Sequence, residues 1–304
     1  MKWPVEPAPA RVRFRRGKSL IQLSCLAFLL FSLPSPGATN SPPIVAQVHV
    51  LSIHVQDRFV FDEVYLFLRD VLKLPLVYGE LSKPGTNSDR FYSGFSVGNA
   101  YLEPCGPYQT DAPFSAGQKA RFHGLTFNPA SSILLSEQGL AACAILHADV
   151  VGGGDIPRFV YLNDPLITGK KQAISIWEIQ NQRDRVNLDF LSSSLSESRG
   201  GALGITRLKE IHVAVPDEKS LAQWRAFLKP NEIRDNACAV GNGPALRFVR
   251  GKESRVESIV LQVEDVSASK TFLAQRNLLG KAGRGRIELD PAKIWGLHVI
   301  LIEK

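Results

Sequence analysis

From residue 45 onward the chain alternates between short stretches with apolar residues every second position and longer stretches with a helical period. It does so four times. The first copy reads VHVLSIHVQD (48–57) and then FDEVYLFLRDVLKLPLVYG (61–79). A weaker second copy is RFHGLTFNP (121–129) with ASSILLSEQGLAACAILH (130–147). The third is LKEIHVAVPD (208–217) with EKSLAQWRAFLKP (218–230), and the fourth VESIVLQVED (256–265) with VSASKTFLAQRNLLG (266–280). In the first strand Leu51, Ile53 and Val55 share one face, and Val50, Ser52 and His54 the other. Ile211, Val213 and Val215 oppose Glu210, His212 and Ala214, and Ile259, Leu261 and Val263 oppose Ser258, Val260 and Gln262. The matching helical stripe is Val64, Phe67, Leu68 and Val71, at i, i+3, i+4 and i+7. Each strand therefore has one face suited to a helix and one that is smaller or more polar.

Further short strands follow each helix: FYSGFSV and NAYLEP, RFVYL and QAISIWEI, ACAV and ALRFVRG, RIEL and GLHVILIE. The predicted unit is strand, helix, then two or three strands, with the less apolar face turned inward to a cavity.

Residues 1–38 read as an export signal rather than a domain. Lys2, Arg11, Arg13, Arg15, Arg16 and Lys18 precede the apolar run SLIQLSCLAFLLFSL (19–33), and small and helix-breaking residues follow it. The run is shorter than the roughly 20 apolar residues of a spanning helix, so cleavage and release to the periplasm or medium are expected, with no membrane association afterwards. Arg15-Arg16 is followed by residues that fit a twin-arginine signal poorly, which favours ordinary secretory export.

That leader also carries the charge. The chain has 36 Lys+Arg and 29 Asp+Glu; the leader holds six of the basic residues and one acid, leaving 30 against 28. No basic stripe interleaved with aromatics remains, so nucleic acid is not an expected partner. Cys105, Cys143 and Cys238 lie beyond the leader, odd in number and widely spaced. Buried thiols are a simpler reading than a disulfide framework, although one bridge is compatible.

The module order, with the phrases FLRDVLKLPLVYG, VGNAYLEPCG and GPALRFVRG, resembles the vicinal oxygen chelate superfamily, the glyoxalase, bleomycin-resistance and extradiol-dioxygenase group. The resemblance covers roughly residues 46–303. It implies an α+β, glyoxalase-like fold of four βαβββ modules paired into two half-barrels. Modules one and two would form a domain over 46–181, and modules three and four another over 205–304. It also implies a cavity in which His and Glu from first and last strands often hold a divalent metal. The ion there chelates neighbouring substrate oxygens as a Lewis acid.

On that resemblance, His54 and Glu103 are the first candidate ligands, for Zn, Fe, Mn or Ni. His54 sits near the end of its strand rather than the start, whereas Glu103 sits at the last-strand position. His123 and Glu178 are the candidates in module two, but strand parity with Phe127 puts His123 on the helix face. In module three Glu210 falls near the first-strand ligand position with His212 on the same face, while Arg247 replaces the last-strand acid. Ser258 and Ile300 occupy the corresponding places in module four, which disfavours extradiol dioxygenase activity. Glu210, His212 and Arg247 therefore read as ligand-binding candidates.

Gly94-Phe95-Ser96-Val97-Gly98 matches the serine-hydrolase pattern G-x-S-x-G, but no helix can follow it through Pro104, Gly106 and Pro107. The basic glycine cluster Gly280–Arg286 reads as a solvated turn or the mouth of a cavity. Trp177, Trp224 and Trp295 read as packing residues.

Two functions fit. One is an exported, metal-dependent lyase or isomerase of glyoxalase type acting on a small oxygen-bearing substrate. The other is a metal-free protein that sequesters a small molecule, as resistance-type relatives do. Both expect a small-molecule partner, and an oligomer is compatible with either.

Overall fold

A computed structural model of the chain describes residues 45–79, 91–106, 113–130, 148–153, 156–162, 174–178, 190–191 and 193–304. All of these lie in one compact unit, Asn40–Lys304. The leader, the expected second-module helix and Cys143 fall outside the described residues.

Three modules start their helices in the same way. β1 (Val45–Val55) leads into α1 (Arg58–Leu66), which continues as a π-helical turn, Phe67–Val71. β10 (Ile205–Val215) leads into α2 (Glu218–Leu228), and β13 (Arg255–Val263) into α3 (Val266–Gln275). The polar residue that ends each strand pattern is an aspartate N-cap. Asp57, Asp217 and Asp265 accept from the backbone N–H groups of Val60, Ser220 and Ala268 at 2.9, 2.8 and 2.9 Å. Each cap satisfies a donor that the first helical turn leaves without a partner.

The strands after each helix return beside the first. Module one adds β2 (Leu76–Tyr78), β3 (Phe91–Tyr92), β4 (Gly94–Ser96) and β5 (Tyr101–Gly106). Module two is β6 (Ala120–Pro129), β7 (Ala148–Gly153), β8 (Ile156–Leu162) and β9 (Ile174–Glu178). Module three adds β11 (Ala237–Cys238) and β12 (Ala245–Arg250). Module four adds β14 (Leu279–Gly283), β15 (Arg286–Leu289) and β16 (Val299–Glu303). Modules one and two share a nine-stranded sheet, and modules three and four a seven-stranded one.

In all four modules the last strand runs parallel to the first, and paired modules join through antiparallel first strands, β1 with β6 and β10 with β13. The α+β, four-module expectation holds. The sheets are curved and open rather than closed into barrels.

Apolar residues of both sheets and all three described helices merge into one core. Trp224, fully buried on α2, packs on Phe248 of β12 at 5.5 Å between ring centroids, and its neighbour Phe227 meets Phe127 of β6 at 5.2 Å. Phe67 and Trp295 stack edge to face at 5.5 Å, and the Trp295 indole N–H donates to Glu63 at 2.8 Å. The helix-facing sides of the two sheets thus share one interior, and the opposite faces are left for chemistry.

Because that interior is continuous, Trp224→Ala is expected to cost about 3–5 kcal/mol, with both sheets unfolding together. Guanidinium denaturation followed by far-UV circular dichroism should show one transition shifted to lower concentration. Two separated transitions would contradict a shared core.

Candidate functional site

The helix caps serve as a ruler for comparing modules. Ser52, His212 and Val260 each lie five residues before their cap, and they stand opposite Glu103, Arg247 and Ile300 on the last strands. In module two the ladders put Thr126 opposite Ser175. The positions two residues earlier are Val50, Glu210 and Ser258, with Gly124 as the counterpart on β6. These twelve residues are the equivalents from which the open faces are built.

On the N-terminal face the result is a half-buried polar cluster. Glu103 accepts hydrogen bonds from the Tyr78 hydroxyl and, at 3.4 Å, from Ser52 Oγ. Val50, Tyr101 and Leu191 form an apolar cluster with Val77 and Tyr78 packed against it. Leu191 is fixed there because Ser96 Oγ donates to its carbonyl at 2.6 Å. Burial pushes the Glu103 carboxyl up, against the lowering effect of the two hydroxyls. Burial, then the charge of Glu103, pushes the Tyr78 phenol well above its ordinary value. His49, edge-on to Tyr101 at 4.5 Å, is pulled down to about 4 by burial, so it stays neutral near pH 7.

The C-terminal face carries a longer network beside open space. Arg247 donates from Nε and Nη2 to the two oxygens of Glu210, at 2.6 and 2.9 Å. His212 lies 3.1 Å through Nε2 from Glu210 Oε2, and 2.9 Å through Nδ1 from Ser258 Oγ. The Arg247 hydrogen bonds, reinforced by His212, hold the Glu210 carboxyl at about 2. Burial lowers His212, partly opposed by Glu210. An ionised carboxylate only accepts, so the neutral imidazole carries its proton on Nε2, and Nδ1 accepts from the Ser258 hydroxyl. Beside this chain lies a cavity of about 170 Å³, lined among others by His212, Ser258, Glu257, Arg286, Glu288 and His298.

Of the sequence candidates, Glu210, His212 and Arg247 come together in this one network. Arg247 is engaged in a salt bridge, and its partner Glu210 also orients a histidine. His54 and His123 also meet, with ring centroids 5.2 Å apart. That corrects the parity argument for His123. The β1–β6 register shifts between Ser52/Gly124 and Ile53/Phe122, and the bulge returns His123 to the side of His54. Glu178 does not join them. β9 pairs with β6 so that Glu178 lies near Pro129, roughly 20 Å along the strand from His123, and its side chain is outside the described residues.

Ser96 lies fully buried in β4 with its hydroxyl committed to Leu191, and no helix follows it. The basic glycine cluster does reach a cavity mouth, through Arg286. Cys105 and Cys238 are buried. Tyr78, Ser258 and Leu191 are the site residues that sequence reading missed. Nothing in the pattern marks which polar residues of different strands will stand side by side.

Solved structures with the same architecture include homoprotocatechuate 2,3-dioxygenase from Brevibacterium fuscum, in its anaerobic complex with 3,4-dihydroxyphenylacetate. It matches at a TM-score of 0.53 and 15% identity, over 90% of this chain and 84% of that one. The 2,3-dioxygenase LapB from Pseudomonas sp. KL28 matches at 0.51 and 11%, over 86% and 93%. The Mn(II)-bound glyoxalase from Novosphingobium aromaticivorans matches at 0.50 and 10%, over 86% and 83%. The chain shares the fold of these dioxygenases and this glyoxalase. No family model matches the sequence, and no curated protein does.

Within this fold the donor set does not suit a resident metal. The N-terminal face offers Glu103, a carboxylate already engaged by two hydroxyls, and the His54–His123 pair, around which no third described His, Cys, Asp or Glu gathers. The C-terminal face offers Glu210, a carboxylate neutralised by the Arg247 guanidinium, and His212, whose two ring nitrogens are hydrogen-bonded to Glu210 and Ser258. Among the described residues no three His, Cys, Asp or Glu side chains gather around one point.

Two titrations test these environments. Because Glu210 is held below its unfolded value, the stabilisation it confers is complete above the ordinary glutamate range and lost as pH falls toward 2. Carboxyl NMR should place its midpoint near 2, and Arg247→Met should move it up toward the ordinary range. Glu103 has the opposite sign: its folded value is raised, so it opposes folding once pH exceeds the unfolded range. Glu103→Gln should therefore raise the melting temperature at about pH 7.5 and leave it unchanged at about pH 4.

Proposed function

We propose that this chain is an exported small-molecule-binding protein with a glyoxalase-like fold, and that its ligand sits on the C-terminal open face without a metal. The observation that carries this reading is the Arg247–Glu210 pair. A bidentate guanidinium occupies both carboxylate oxygens at a position where a metal would need them. The pair orients His212, which with Ser258 and Arg286 lines a cavity that has space for a small ligand. The N-terminal face is the structural half, its polar cluster covered by Tyr101 and Leu191. The leader supports a site of action in the periplasm or outside the cell.

The metal-dependent lyase or isomerase reading draws on the His54–His123 pair. It is the weaker of the two, because Glu103 is tied to Tyr78 and Ser52 rather than left to complete a ligand set.

Titration of the purified chain with a library of small polar oxygen compounds, followed through histidine ring resonances, tests the binding reading. His212 and His298 should shift with the bound compound, and Arg286→Ala should weaken binding about tenfold or more, about 1.4 kcal/mol. Shifts confined to His49, His54 and His123 would place the ligand on the other sheet and overturn the proposal.

A further inference from the structure

The hydrogen-bonded chain beside the C-terminal cavity has a direction. Arg247 anchors both oxygens of Glu210, Glu210 accepts from His212 Nε2, and His212 Nδ1 accepts from Ser258 Oγ. Ser258 and His212 both line the cavity, on the antiparallel strands β13 and β10, where they stand directly opposite one another. We propose that Ser258 is a nucleophile for small acyl esters, with His212 as its general base and Glu210 as the residue that orients the imidazole. This rests on the binding reading above and names the chemistry of that same site.

The three roles follow from the geometry. A serine hydroxyl becomes an effective nucleophile when a base within hydrogen-bond reach takes its proton as the new bond forms. Here Nδ1 is 2.9 Å from Oγ, and the carboxylate on the opposite nitrogen fixes the tautomer that leaves Nδ1 free of a proton. Burial and the nearby Arg247 and Arg286 charges hold the imidazole in its neutral, basic form. Arg286, hydrogen-bonded to Glu288 at 3.1 Å, brings a cation to the wall of the cavity in which carbonyl addition would create an oxyanion.

The step balances without any further reagent. Ser258 Oγ bonds to the ester carbonyl carbon, its proton passes to His212 Nδ1, and the carbon–oxygen bond to the leaving alcohol breaks as that proton is delivered to it. Water then attacks the acyl-serine, His212 takes a proton from it, and returns the proton to Ser258 Oγ as the acid departs.

The size of the cavity selects the acyl group. About 170 Å³ is below the range for drug-sized ligands, which points to short acyl chains. Ser96, the serine inside the G-x-S-x-G pattern, has no such arrangement: its hydroxyl donates to the Leu191 carbonyl.

The test uses the purified full chain with p-nitrophenyl acetate, read by intact mass and peptide mapping after acid quench. N-methylacetamide serves as an unreactive probe of binding, read by the His212 and His298 resonances. The expected result is an acetyl adduct on Ser258, absent from Ser258→Ala and formed at least about 100-fold more slowly in His212→Gln. Because Ser258→Ala could fail to fold, Ser258→Cys gives an independent reading. Its thiol should react with iodoacetamide at about pH 6.5 much faster than a cysteine in the urea-unfolded variant. A folded chain with no Ser258 adduct, or one formed equally fast in His212→Gln, overturns the inference. If N-methylacetamide still shifts His212 and His298, the binding reading survives that failure. If it shifts neither, both fall.

Discussion

Parallel pairing between the first and last strand of each module is the constraint on which the rest depends. A parallel pair needs a crossover, and in the three modules whose helices are described the helix supplies it, packing on one face of the sheet and freeing the other. The register of that pairing then decides which residues meet. Ser52 opposite Glu103 and His212 opposite Arg247 are the same structural place filled with different chemistry. Since the helix faces of both sheets merge in one core, the open faces are set by a framework that neither sheet can adjust alone.

The two faces solve the problem of a carboxylate on a partly buried sheet in opposite ways. Glu103 has only neutral hydroxyl partners, and burial pushes its proton affinity up. Glu210 has a guanidinium across two short hydrogen bonds, and its proton affinity falls to about 2. A carboxyl whose proton affinity burial has raised, packed beside an apolar cluster, is a packing element. A fixed negative charge next to a histidine is a device for orienting and biasing that ring. The proposed function is therefore placed with the half that contains Arg247, His212 and Ser258, although the fold repeats the same place elsewhere.

Much of the fold was legible because the period of apolar residues changes at each cap. Asp57, Asp217 and Asp265 mark helix starts in the sequence and perform that role in the structure. Individual site residues were legible where one strand carried two of them, as with Glu210 and His212. Contacts across strands were not. The His212–Ser258 hydrogen bond depends on an antiparallel register that no local signal sets, and Tyr78 reaches Glu103 from a strand of three residues. Strand parity failed at His123 because of a bulge, for which Gly124 beside it was the available sign. The leucine that covers the N-terminal face, Leu191, belongs to the linker between the paired modules, where no periodic pattern points to it.

The central claim is that the carboxylates of the two open faces are tied into hydrogen-bonded networks rather than left to hold a metal. Elemental mass spectrometry of the untagged chain, after incubation with Zn, Fe, Mn and Ni and removal of excess ion, tests it most directly. The account predicts metal far below one ion per chain, unchanged in His54→Ala and Glu103→Ala. One ion per chain, lost in both variants, would contradict it and return the N-terminal face to the centre of the chemistry.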